Sequence, residues 1–114
     1  KHIGEEIQDL KEKLSNLNDI NYHLGMRHLE KGNIRDAKMR FKLMKFFWPN
    51  DKRAVYKYSY CLILNNNDAI AISMLQQLIK KYPEYKEVQN LLNQIKIKST
   101  EFIRQEYNKK SVKI

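Results

Sequence analysis

Apolar residues recur along this chain at helical spacing, and the interruptions divide it into segments. Ile3, Ile7, Leu10, Leu14 and Leu17 alternate by four and three residues over Glu5, Glu6, Asp9, Lys11, Glu12 and Lys13. That pattern predicts an amphipathic helix of about four turns over residues 1–17. Beyond it the pattern repeats itself. Gly32, Ala37 and Pro49 return 34 residues later as Asn66, Ala71 and Pro83, so that 19–52 aligns with 53–86. In that alignment Leu24 faces Tyr58, Gly25 faces Ser59, His28 faces Leu62, Phe41 faces Leu75 and Met44 faces Leu78. Small residues at Gly25, Ser59, Ala37 and Ala71 let two antiparallel helices approach closely, while the larger partners fill the space between them.

The punctuation agrees with two helical hairpins. Lys31-Gly32-Asn33 and Asn65-Asn66-Asn67 separate the apolar-periodic stretches, and Gly and Asn tolerate the left-handed conformation that ends a helix. Asn33 and Asn67 are expected to cap the helices that follow, with Asp36 and Asp68 adding negative charge to the first turn. Pro49 and Pro83 disfavour helix at Trp48 and Tyr82, which should end both second helices. After Pro83, the stripe Val88, Leu91, Leu92 and Ile95 predicts a closing helix over 84–108, with Phe102, Ile103 and Tyr107 on its distal half. Asn93 stands where Gly25 and Ser59 stood, so no third close hairpin is expected.

A 34-residue period carrying Leu24-Gly25, Ala37, Phe41 and Pro49 in one copy and Ala71 and Pro83 in the next resembles the tetratricopeptide repeat family. Asn21 and Val55 depart from the family's preference for a large aromatic, as His28 and Leu62 depart from its Tyr. The resemblance implies an all-α fold, a short right-handed superhelix of about six helices: an N-terminal helix, two helix-turn-helix repeats and a capping helix. Arrays of this kind need polar-faced helices at their ends. The 1–17 helix is therefore expected to pack on the first hairpin, with a short dimerising coiled coil as the alternative and a monomer or weak homodimer as the result.

In this family the first helix of each hairpin lines a concave surface on which partner peptides or helices lie. Carried onto this sequence, that line runs Asp19, Tyr22, Met26 and Glu30, then Arg53, Tyr56, Tyr60 and Ile63, then Glu87, Asn90, Gln94 and Lys98. Its tyrosines and apolar residues fit an amphipathic helix or extended peptide. The clustered Lys, Arg and Asn by which some relatives grip a terminal carboxylate are missing. The resemblance thus implies a protein-binding adaptor or chaperone, with bacterial secretion or envelope assembly as a setting drawn from family analogy.

Composition narrows the field. The 114 residues make one domain, and the single cysteine, Cys61, has no intramolecular disulfide partner. No apolar run is long enough to cross a bilayer and no signal-peptide pattern is visible. The first residue is Lys1 rather than Met, as in an excised domain, and the expected location is cytoplasmic. Nothing points to an enzyme, a metal or a cofactor. His23 and His28 lie about 140° apart around a helix, and the three glycines form no phosphate loop. Cys61 has only Lys57 as a nearby base.

The net charge of +9 is unevenly spread: −1 over residues 1–17, +6 over 18–95 and +4 over 96–114. Arg35, Lys38, Lys42 and Lys45 form a stripe expected on the convex side. Lys96, Lys98, Arg104, Lys109, Lys110 and Lys113 continue it into a basic tail over 109–114. The alternative function is therefore nucleic-acid or anionic-surface binding through this basic face.

Overall fold

The structure, a computed structural model, describes residues 2–111. Among these the chain forms six α-helices and no strand: α1 Ile3–Glu30, α2 Ile34–Phe47, α3 Lys52–Leu64, α4 Asp68–Lys81, α5 Lys86–Ile97 and α6 Thr100–Lys110. From α1 to α5 each helix packs against the next, and α6 turns back to lie against α3.

The hairpin turns form as the sequence predicts. Gly32 and Asn66 adopt left-handed backbones with φ 80° and 66°. The next residue's N–H reaches back across each turn, Asn33 to the His28 carbonyl and Asn67 to the Leu62 carbonyl, both at 2.8 Å. This Schellman closure satisfies carbonyls that the helix end leaves open. It also displaces the expected caps. Asn33 and Asn67 sit at ψ 70° and 57°, short of the extended backbone that aims an N-cap side chain, and neither makes a capping bond. Caps appear elsewhere: Asp51 accepts from the Arg53 N–H at 3.0 Å, and Ser99 Oγ accepts from the Phe102 N–H at 3.2 Å. Before Pro49 and Pro83, Trp48 and Tyr82 leave the helical region and end α2 and α4.

Close approach within the first hairpin depends on Gly25. A Cβ there would lie 2.6 Å from Cε1 and Cζ of Phe41, which is fully buried. Ala37, Met44, Ala54, Cys61, Leu64, Leu29 and Tyr107 complete that core. Leu75, Ala71, Leu78, Val88, Ile63 and Ile103 build a second one. Helix α3 lies between the two and contributes to both.

Two predicted boundaries move. The helix expected over 1–17 and the first hairpin helix are one 28-residue α1, about 42 Å long at 1.5 Å per residue. Asn18 does not break it, because its side chain is buried and donates to Asp51 Oδ2 at 2.7 Å. The closing helix expected over 84–108 is two helices, divided at Lys98 and Ser99. With Asn93 exposed, α5 gains no close hairpin partner, and α6 swings onto α3 instead. Because α6 runs through Lys110, most of the predicted basic tail is either helical or outside the described residues.

The expected packing of the N-terminal stripe on the first hairpin is not found. Ile3, Ile7, Leu10, Leu14 and Leu17 are 47 to 74% exposed. Helix α2 reaches back only far enough to cover the C-terminal half of α1, where Asn18, Gly25 and Leu29 are buried.

Candidate functional site: a groove closed by the last helix

Four helices surround a cavity of about 560 Å³. Met26, Leu29 and Glu30 come from α1, Tyr56, Lys57 and Tyr60 from α3, and Glu87, Asn90, Leu91 and Gln94 from α5. The last wall is α6, with Phe102, Ile103, Glu106, Tyr107 and Lys110. Helical spacing explains the first three contributions: Met26 and Glu30, Tyr56 and Tyr60, and Asn90 and Gln94 are each one turn apart on one face.

The position of α6 is fixed by directional bonds as well as burial. Tyr107 Oη donates to the Leu29 carbonyl at 2.6 Å, tying α6 to the end of α1. Arg104 Nη1 donates to the Ile63 carbonyl at 2.9 Å and to Asp68 Oδ1 at 2.8 Å. Thr100 Oγ1 donates to Asp68 Oδ2 at 2.7 Å. Together these hold α6 across the end of α3.

Of the residues expected to line the binding surface, Met26, Glu30, Tyr56, Tyr60, Glu87, Asn90 and Gln94 meet in this groove, while Lys98 lies outside its lining. Tyr22 and Arg53 instead form a cluster outside its lining. The Arg53 guanidinium lies 4.5 Å from the Tyr22 ring centroid and pairs with Asp19 at 3.0 Å and Asp51 at 2.7 Å. Those bonds, above all from Asp51, raise the Arg53 pKa. Ile63 is not on the surface at all. It is fully buried, because the Ile103 side of α6 covers the last turn of α3.

The groove also contains residues the sequence line omitted. Lys57 crosses its floor with Nζ 5.1 Å from the Tyr56 ring centroid and 5.8 Å from that of Tyr60. Burial lowers the Lys57 pKa against the opposing pull of Cys61 and Glu87. Tyr60 packs edge-on to Tyr107 at 6.3 Å, and burial first, then neighbouring Tyr56, pushes its hydroxyl up to about 12. Cys61 is fully buried behind this wall, its thiol likewise pushed up to about 12 by burial. A neutral, enclosed thiol is a packing group rather than a nucleophile. Phe102, Glu106, Tyr107 and Lys110 escaped the reading because a straight closing helix would have carried them away; the available signal was the Ser99 cap followed by Glu101 in the first turn.

The basic stripe does not stand as one row. Lys45 is half-buried with Nζ 4.5 Å from the Tyr58 ring centroid, and burial followed by Lys42 lowers its pKa. Lys38 is also half-buried, while Arg35 and Lys42 are exposed. Apolar side chains of Met39, Leu43 and Phe46 share the outer side of α2 with them. In the C-terminal part Arg104 is committed to Asp68, and Lys109 pairs with Glu106 at 3.2 Å. Lys113 lies outside the described residues.

No group of three His, Cys, Asp or Glu side chains among the described residues could hold a metal ion, and none of their helices is long and apolar enough to cross a membrane. The chain matches no family model, and no curated protein or solved structure is significantly similar to it.

Proposed function

We propose that this protein is an interaction scaffold, an adaptor or chaperone of the tetratricopeptide type, that takes a peptide or amphipathic helix of another protein into the groove between α1, α3, α5 and α6. The observation that carries this reading is the groove's composition. An aromatic and aliphatic floor of Met26, Tyr56, Tyr60, Leu91 and Phe102 is rimmed by Glu30, Glu87, Asn90, Gln94 and Lys110. Tyrosines contribute large contact area at small entropic cost, and a charged rim of both signs orients a ligand that has one apolar face. The rim argues against a simple carboxylate or phosphate site, since it sets two carboxylates, Glu30 and Glu87, against one lysine, Lys110.

Panning a library of amphipathic peptides against the protein tests this. Enriched peptides should carry apolar residues at i, i+3 or i+4, and i+7. Their affinity should fall at least about tenfold, the loss of one buried aromatic anchor, in Tyr56→Ala. Asn90→Arg and Gln94→Arg change exposed positions only, so they fill the groove mouth without touching the core. Unchanged affinity in all three folded variants would overturn the proposal.

A further inference from the structure

The N-terminal half of α1 presents an apolar seam that none of the other described residues covers. Ile3, Ile7, Leu10, Leu14 and Leu17 are all exposed, and their four-three spacing places Ile7 and Leu14 at a positions and Ile3, Leu10 and Leu17 at d positions of a heptad. The seam has a defined end. Asn21, the next a position, is engaged within its own subunit, accepting from Arg40 Nη1 at 3.0 Å and donating to the Leu17 carbonyl at 3.1 Å.

The charges flanking the seam specify the occupant. In this register Glu6 is a g residue and Lys11 the following e residue. In a parallel pair of helices, g of one strand meets the next e of the other, so Glu6 faces Lys11 of the second copy on both sides of the seam. The following g residue, Lys13, finds no charged partner, because the next e position is Asn18, whose side chain is buried against Asp51 of its own subunit. Parallel, in-register pairing also sets each apolar side chain opposite its own copy and uses the whole seam. Glu5, Asp9 and Glu12 fall at outer positions, away from the partner. We infer that the N-terminal half of α1 pairs with that of a second copy of this chain as a short parallel coiled coil.

The geometry leaves the groove free. Leu10 and Met26 are sixteen residues apart in sequence, about 160° around the helix at 100° per residue, so seam and groove face opposite ways. A dimer built on the seam presents two grooves. Where the groove binds as proposed, two linked ligand segments gain from the raised effective concentration of the second site.

The decisive experiment is sedimentation equilibrium on the full chain over a concentration series reaching about 500 µM, a range suited to weak association. The wild type should show a monomer–dimer equilibrium. Leu10→Asp, at an exposed position, should remain helical and monomeric throughout. Glu6→Lys should weaken the dimer about threefold to tenfold by placing like charges together, and Glu6→Lys with Lys11→Glu should restore it to within about twofold. Ile3→Cys should form a disulfide-linked dimer on mild oxidation, since only the parallel register brings the two copies of position 3 together; the buried Cys61 keeps the wild-type control unlinked. The inference is overturned by a wild type that stays monomeric, by a reciprocal swap that restores nothing, or by a dimer in which Ile3→Cys does not cross-link.

Discussion

The two ends of this molecule solve one problem in different ways. Each is an amphipathic helix with an apolar stripe, yet at the C-terminal end Ile103 and Tyr107 are buried, while at the N-terminal end Ile3 to Leu17 remain in solvent. The difference lies in directional chemistry more than in hydrophobicity. Helix α6 carries a phenol and a guanidinium that find a carbonyl on α1, a carbonyl on α3 and a carboxylate on α4. The first half of α1 has apolar seam residues, but no other helix among the described residues covers them. Amphipathicity states that a face must be covered, and polar anchors decide whether the chain covers it itself.

Substitutions that strip α6 of its packing should have the largest effect. Ile103→Ala removes buried volume between α3 and α6 and is expected to cost about 2–5 kcal/mol, read from urea unfolding. Tyr107→Phe keeps the ring but removes the phenol's bond to the Leu29 carbonyl, which retains the Gly32 N–H at 3.1 Å; a loss of about 0.5–1.5 kcal/mol is expected. An unfolding midpoint equal to wild type would show that α6 is held by contact area alone.

Acid should act on the same end. Burial alone would raise the Asp68 carboxyl, but hydrogen bonds from Thr100 and Arg104, with the Arg104 charge, hold it below its ordinary value of 3.8. A lowered folded-state pKa means that the contribution is fully present above the ordinary value and is lost as pH falls through the lowered one. Asp68→Asn should therefore be less stable than wild type near neutrality, and the gap should narrow as the pH is taken below the ordinary carboxyl value of 3.8. At the other end the expected effect is smallest. Leu10→Ala should change the stability of the isolated subunit by no more than about 0.5 kcal/mol, because the side chain is exposed there. A larger change at high dilution would mean that the seam packs within its own chain.

The features legible in the sequence were those with a local cause. Gly32 and Asn66 turn the chain because a left-handed residue is needed after each first helix. Pro49 and Pro83 stop α2 and α4 through the residue before them, and Gly25 faces Phe41 because no larger residue would fit. The helix total also agreed, though through two opposed errors: α1 joins what the apolar pattern had separated near Asn18, and Ser99 divides what the pattern had joined. Both depend on distant partners, Asp51 for Asn18 and the α3 surface for α6. The same distance effect governs the groove. The family resemblance, stepped along each helix at helical spacing, pointed to Met26, Tyr56, Tyr60, Asn90 and Gln94, since each faces one side of its helix. It placed Ile63 on the surface and missed Phe102 and Tyr107, because only the fold of α6 onto α3 buries the first and presents the others.

The proposed binding role is tested most directly by the amide and side-chain NMR footprint of a selected amphipathic peptide on the full chain. Shifts should concentrate at Met26, Tyr56, Tyr60, Gln94 and Phe102, with Leu10 on the seam and Phe46 on the outer side of α2 unmoved. Shifts confined to the seam or to α2, with the groove resonances unchanged, would contradict that role.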